Sequence, residues 1–118
     1  MVCVVDDDDS LLRALRRLLG ATGFRVETFS SAEEFLGSEH RARADCLVLD
    51  VHLGGLSGLD LQERLATSGV KTPVVIITAH DDRRTRERAV RAGAVEYLRK
   101  PFDDESLIDA IRRAIGKG

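Results

Sequence analysis

The sequence predicts an α/β fold: a five-stranded parallel sheet, doubly wound, with helices covering both faces. Three observations predict it. Short apolar runs recur at Val2–Val5, Cys46–Leu49, Val74–Ile77 and Ala94–Leu98, and the middle two are nearly continuous and rich in Val and Ile. Runs of this kind mark strands buried on both faces, as parallel strands are. Stretches with helical periodicity lie between the runs, so strand and helix alternate along the whole chain, the pattern of a parallel sheet between helical layers. Crossovers in such sheets are right-handed almost without exception, which leaves few topologies.

Each element follows from its residues. Val2–Val5 is the first strand. Leu11, Leu12, Leu15, Leu18 and Leu19 then form one helical stripe with Arg13, Arg16 and Arg17 opposite. Ser10 is placed to cap this helix, and Gly23 follows its end. In Phe24–Phe29, Phe24, Val26 and Thr28 alternate with Arg25 and Glu27, which suits an edge strand with one wet face. That strand at an edge gives the order 2-1-3-4-5. Ser30 or Ser31 opens the second helix, with Glu33 and Glu34 placed for a capping box. After the third strand, residues 58–67 predict a helix with Leu59, Leu61 and Leu65 inward. Residues 83–92 predict a fourth, and 104–115 a fifth with Leu107, Ile108, Ile111 and Ile115 facing the core.

The chain has 118 residues, enough for one domain spanning 1–118 with a single proper core. Hydrophobic residues make up 43% and charged residues 32%, ordinary globular values. A net charge of −2 gives little support to direct nucleic-acid binding. No apolar run approaches the roughly 18 residues that span a membrane, and the start lacks a signal-peptide pattern. Cys3 and Cys46 both sit inside apolar runs. They are expected as small core residues, not a disulfide, in a cytoplasmic protein.

The chemistry lies where the strands end. In a parallel sheet the C-terminal strand ends share one rim, and ligands bind there near the reversal of strand order. The first strand ends in Asp6 and Asp7, the third in Asp50, the fourth in Thr78, and the fifth leads into Lys100. Three carboxylates, a hydroxyl and an ammonium are therefore expected on one rim. Two unit charges 4 Å apart repel by roughly 4 kcal/mol at an effective dielectric near 20. Lys100 or a hard divalent cation such as Mg²⁺ is needed to offset this. A carboxylate that attacks phosphorus in such a site forms an acyl phosphate. The cation, the hydroxyl and the ammonium would then stabilise the phosphoryl oxygens.

The segments "VVDDD", "LVLDVHLGGLSGLDL", "VVIITAH" and "AVEYLRKPF", in this order and spacing, resemble a response-regulator receiver domain with the CheY-like, flavodoxin-like three-layer fold. "FSSAEEFL", "ITAHDD" and "RAGAVEYLRKPFDD" resemble the FixJ branch, whose receivers usually precede a DNA-binding output domain. The resemblance covers the whole chain and implies a role for each rim residue. Asp50 resembles the phosphoacceptor, and Asp7 and Asp6 the holders of Mg²⁺ or Mn²⁺, with the main-chain carbonyl of His52. Thr78 resembles the switch hydroxyl and Tyr97 the aromatic that moves with it. Lys100 resembles the phosphate-binding lysine, with a cis bond to Pro101 that aims it into the site, and Ala79 is small enough to leave the phosphoryl group accessible. Asp8 and Asp9 are expected in solvent, supporting the first helix through its dipole. Receivers commonly carry Met-Pro where this chain has Leu53-Gly54, so the Gly54-Gly55 loop is expected to be more mobile than usual.

The resemblance further implies a histidine kinase or phosphotransfer protein as phosphoryl donor. It implies an output face built from the fourth helix, fifth strand and fifth helix, with homodimerisation through it. The arginines of the fourth helix, Arg83, Arg84, Arg86, Arg88 and Arg91, would pair there with Glu96, Asp103 or Asp104 of a second copy. Such a domain is a switch that phosphorylates and dephosphorylates itself, not an enzyme for an outside metabolite. His52 and His80 flank the site and are candidates for tuning phosphoryl lifetime, although solvated loop histidines are the plainer reading. A small haloacid-dehalogenase-like phosphatase with Asp6 as nucleophile is the alternative. The short chain and the additional Asp50 count against it, and a flavin-binding module lacks its phosphate loop.

Overall fold

The alternation is realised in a computed structural model that describes residues 1–117. The elements are β1 (Val2–Val5), α1 (Asp9–Ala21), β2 (Val26–Phe29), α2 (Ala32–Leu36), β3 (Cys46–Asp50), α3 (Gly58–Thr67), β4 (Val74–Thr78), α4 (Arg83–Arg91), β5 (Glu96–Arg99) and α5 (Asp104–Lys117). A short 3₁₀ helix, Glu39–Ala42, follows α2; the sequence reading did not foresee it. All strand pairs are parallel, and the order is β2-β1-β3-β4-β5, as expected.

Side chains alternate across the sheet and make two cores. Val2, Val4, Val48 and Ile77 meet Leu12, Leu15 and Leu19 of α1 and Leu107 and Ile111 of α5. On the other face Val5, Leu49 and Ile76 meet Phe35 of α2, Leu61 and Leu65 of α3 and Ala89 of α4. Each buried Leu, Ile or Val side chain contributes about 2 kcal/mol. The fold is thus carried by these layers, and the polar rim is free to be electrostatically costly. Cys3 belongs to one core and Cys46 to the other, so the sheet separates them. Both are free, and burial pushes their thiols up to about 11 and about 12.

Several boundaries differ from expectation for local reasons. The α1 cap is Asp8, not Ser10: its carboxylate accepts the Ser10 and Leu11 amides. Asp8 thus supports the helix by direct hydrogen bonds as well as by its charge. β2 begins at Val26, two residues late, and β5 at Glu96. In both places the preceding helix ends at a glycine of positive φ, Gly23 (102°) and Gly93 (97°). The next amide then bonds back into the helix, Phe24 to Leu19 and Ala94 to Ala89. Ile115, expected in the core, is 36% exposed; it lines an open recess with Ala44, Val70 and Pro73, and Ala114 is buried instead.

Candidate functional site

The rim residues converge as the strand ends require. Asp50 closes β3 and Thr78 closes β4, in register with Ile77 and Arg99. Asp6 and Asp7 follow β1, the neighbour of β3. One carboxylate oxygen each of Asp6, Asp7 and Asp50 lies within 4.8 Å of the others. Asp6 and Asp50 are buried, and Asp7 is exposed. Asp6 accepts the Asp8 amide at 2.9 Å and Lys100 Nζ at 2.7 Å. The same ammonium lies 3.4 Å from Asp50 Oδ1. Lys100 is placed by its own amide, which donates to the Thr78 carbonyl at 2.7 Å, and its bond to Pro101 is cis, as expected.

The electrostatics follow from these distances. Burial raises the Asp50 pKa, the Asp6 charge raises it further, and Lys100 opposes both; the result is about 6. For Lys100, burial disfavours the charge, but the hydrogen bond to Asp6 and the charges of Asp50 and Asp6 outweigh it and raise its pKa. One ammonium therefore does not fully offset three carboxylates. The donor set, all hard oxygens around a site short of positive charge, fits a divalent cation such as Mg²⁺.

Thr78 is buried, and its Oγ1 accepts the His80 amide at 3.0 Å and donates to the His80 carbonyl at 3.2 Å. Ala79 lines a recess of about 350 Å³ with Asp8, Leu11, Lys100, Pro101 and Phe102, opening beside Lys100. The exposed rings of His52 and His80 meet edge-on, centroids 4.6 Å apart. Tyr97 packs against the second core, with the Arg86 guanidinium 4.8 Å from its ring centre. Burial and the Asp81 charge raise its pKa.

Two contributors escaped the sequence reading. Gly58 sits so close to Asp50 that a Cβ on it would fall 1.9 Å from the Asp50 carbonyl oxygen, so no larger residue fits. A glycine opening a helix eight residues after an acidic strand end was the available signal. Glu33 reaches from α2 to accept the Leu56 amide at 3.0 Å, in the loop after Asp50. No sequence pattern points to that contact.

A five-stranded doubly wound sheet with this rim defines a receiver. Residues 2–112 match the response regulator receiver domain family, and the chain belongs to it: this is a receiver of two-component signalling. The chain is 41% identical over 115 residues to the response regulator protein TmoT of Ectopseudomonas mendocina, covering 98% of this chain and 52% of that protein. It is 37% identical over 116 residues to the transcriptional regulatory protein FixJ of Azorhizobium caulinodans, covering 98% and 55%. The solved structure of the response regulator StyR superposes with a TM-score of 0.91 at 46% identity, covering 98% of this chain and 59% of that one. The chain spans about half the length of the curated relatives it matches. Among the described residues, no helix is long and apolar enough to cross a membrane. The phosphatase alternative loses its footing here, because residues 2–112 match the receiver family.

Proposed function

We propose that residues 1–118 form one receiver domain that takes a phosphoryl group on Asp50 from a histidine kinase or phosphotransfer protein. The observation that carries this reading is the meeting of Asp6, Asp7 and Asp50 with Lys100 on one rim. Asp6, Asp7 and Asp50, with the His52 main-chain carbonyl, are the proposed ligands of Mg²⁺ or Mn²⁺. When bound, the cation neutralises the carboxylates and the phosphoryl oxygens.

One Asp50 oxygen attacks phosphorus in line. The P–N bond of the donor phosphohistidine breaks, the imidazole keeps the electron pair and takes up a proton, and an acyl phosphate remains on Asp50. Lys100, already 3.4 Å from Asp50, turns an N–H to a phosphoryl oxygen. Thr78 gives up its bond to the His80 carbonyl and donates to another. Ala79 leaves room for the group, and the recess beside Lys100 admits the donor side chain. Tyr97 follows Thr78, and the face of α4, β5 and α5 changes its partner preference.

Self-phosphorylation from small acyl phosphates and slow self-hydrolysis are the proposed activities. His52 and His80 are proposed to tune that hydrolysis. Substituting both and finding the same lifetime between about pH 6 and 8 would remove this role. Because the relatives are about twice as long and include transcriptional regulators, the full-length protein is proposed to carry a DNA-binding output domain. A phosphorylation-dependent homodimer through α4, β5 and α5 is supported by exposed Val90, Arg84 and Arg91. The two free cysteines suit a cytoplasmic setting.

The test is intact mass after incubation with Mg²⁺ and acetyl phosphate, beside Asp50→Asn. A phosphoryl adduct is expected on the native chain and none on the variant. An adduct that survives the substitution would move the nucleophile to Asp6.

A further inference from the structure

The loop from β3 to α3 leaves the site directly from Asp50 and is tied down at both ends. The Val51 amide bonds the Ile77 carbonyl at 3.2 Å, and the Gly58 amide bonds the Val51 carbonyl at 2.9 Å. Between these ties lie Gly54 and Gly55, residues with more conformational freedom to lose than any others. Among the described residues, only one hydrogen bond is made by an amide between His52 and Leu56: Leu56 N–H to Glu33 Oε2, at 3.0 Å. The same oxygen fills the space a side chain on Gly55 would need. A Cβ there would lie 2.7 Å from it, and Gly55 holds a φ of +74°. Carboxylate and glycine therefore fit each other. The Leu56 amide is also the leading cause that lowers the Glu33 pKa, so the bond favours the ionised acid.

We propose that Glu33 is a positioning residue for the phosphoryl site, its carboxylate a latch on the Gly54-Gly55 loop that fixes the backbone following Asp50. The proposal rests on the phosphoacceptor reading above. It reverses the expectation that the two glycines leave this loop loose, since α2 supplies from outside the order the loop lacks. A charged acceptor suits the task because a charge-assisted bond is stronger than a neutral one. Glu33 touches neither the proposed metal ligands' side chains nor the phosphoryl group. It acts through the loop, which carries the His52 carbonyl.

The experiment compares native protein with Glu33→Ala and Glu33→Gln. Three quantities are read: Leu56 amide exchange by NMR, Mg²⁺ affinity from amide shifts, and the rate of phosphorylation by acetyl phosphate. Urea unfolding checks that the fold is retained. In Glu33→Ala the Leu56 amide is expected to exchange about tenfold faster. Mg²⁺ affinity and phosphorylation rate are expected to fall about threefold to tenfold, with global stability little changed. Glu33→Gln, which keeps a neutral acceptor, is expected to recover part of each loss. A Leu56 amide unprotected in the native protein would overturn the latch. Faster exchange with unchanged Mg²⁺ affinity and phosphorylation rate would overturn the positioning role and leave a structural tie only. If the native chain takes no phosphoryl group, the function reading fails separately, and Leu56 exchange with Mg²⁺ affinity still decides the latch.

Discussion

At Asp50 three forces meet and do not balance. Burial and the charge of Asp6 favour the protonated acid, and Lys100 opposes them only in part, leaving a pKa of about 6 against 3.8. The consequence for stability has a definite sign. Well below about pH 4 the carboxyl is protonated in both folded and unfolded chains and contributes nothing. As pH rises the unfolded chain ionises first, so stability falls through the interval and is lowest above about pH 6, by about 3 kcal/mol at most. Asp50→Asn removes that titration. In chelator, the variant is expected to be more stable than the native chain at pH 7, with the difference closing toward pH 4. Urea unfolding at the two pH values checks this; an equal difference at both would place the cost elsewhere. Asp6, Asp7, Asp50, Thr78 and Lys100 were legible in the sequence because each sits at a strand end, and parallel topology gathers strand ends. Glu33 was not, because it acts on a main-chain amide, and a contact to a backbone group leaves no mark on the residue type it touches. Gly58 was marked only by being a glycine at the start of a helix.

Among the elements, α4 is held differently from the rest. Ala89 is its one buried residue, and Val90 is 61% exposed. Polar contacts replace the missing apolar stripe. Arg88 bridges Asp60, at 3.0 Å, and Glu63 of α3, and Arg86 pairs with Asp81 at 2.9 Å while covering Tyr97. Gln62 donates to the Ala89 carbonyl at 2.9 Å. The arginines expected to reach a second copy are thus largely engaged within the chain. Of their expected partners, Glu96 is bound by Arg113 and Asp103 accepts the Ser106 amide. The sequence displayed the arginines but not their partners, because ion pairs between elements depend on helix rotation, which periodicity leaves open when the apolar stripe is thin. Amides of α4 are expected to exchange at least about tenfold faster than those of α1, which buries Leu12, Leu15 and Leu19. Arg88→Ala is expected to widen that gap while costing no more than about 1 kcal/mol overall, since the pairs are solvent-exposed. Gln62→Met gives the contrasting case. Oε1 of Gln62 is buried without a partner among the described residues, and the Ala89 carbonyl keeps the Ala94 amide at 3.0 Å. The substitution is therefore expected to be neutral or stabilising by about 1 kcal/mol in urea unfolding. A loss of about 2 kcal/mol or more would show that the amide holds α4 by more than its one bond.

Across the whole molecule, stability and signalling chemistry are kept in separate places. Apolar layers on both sides of the sheet supply the folding energy, and the rim spends some of it on crowded carboxylates. The layers were legible because continuous apolar runs and helical stripes are a direct record of burial, and right-handed crossovers leave few orders, among them the observed one with β2 at an edge. β2 itself is less wet than its alternation suggested, since Val26 enters one core and Phe29 the other. The separation predicts that a divalent cation acts as a folding ligand. Mg²⁺ binding only the folded chain stabilises it by RT ln(1 + [Mg²⁺]/Kd), about 2.7 kcal/mol at a hundredfold excess over Kd. Protonation of Asp50 competes with that binding, so the stabilisation depends on pH through the same residue. At pH 7.5, about one and a half units above the Asp50 pKa, the carboxylate is free to bind; at pH 5, about one unit below it, a proton occupies the site. A thermal titration with MgCl₂ is therefore expected to raise Tm clearly at the higher pH and much less at the lower. In Asp50→Asn the rise shrinks at both. Equal shifts at the two pH values would show Mg²⁺ acting as a general counter-ion on the acidic surface. A shift that survives in Asp50→Asn but vanishes in Asp7→Asn would leave the exposed carboxylate as the principal ligand, with Asp50 free for chemistry alone.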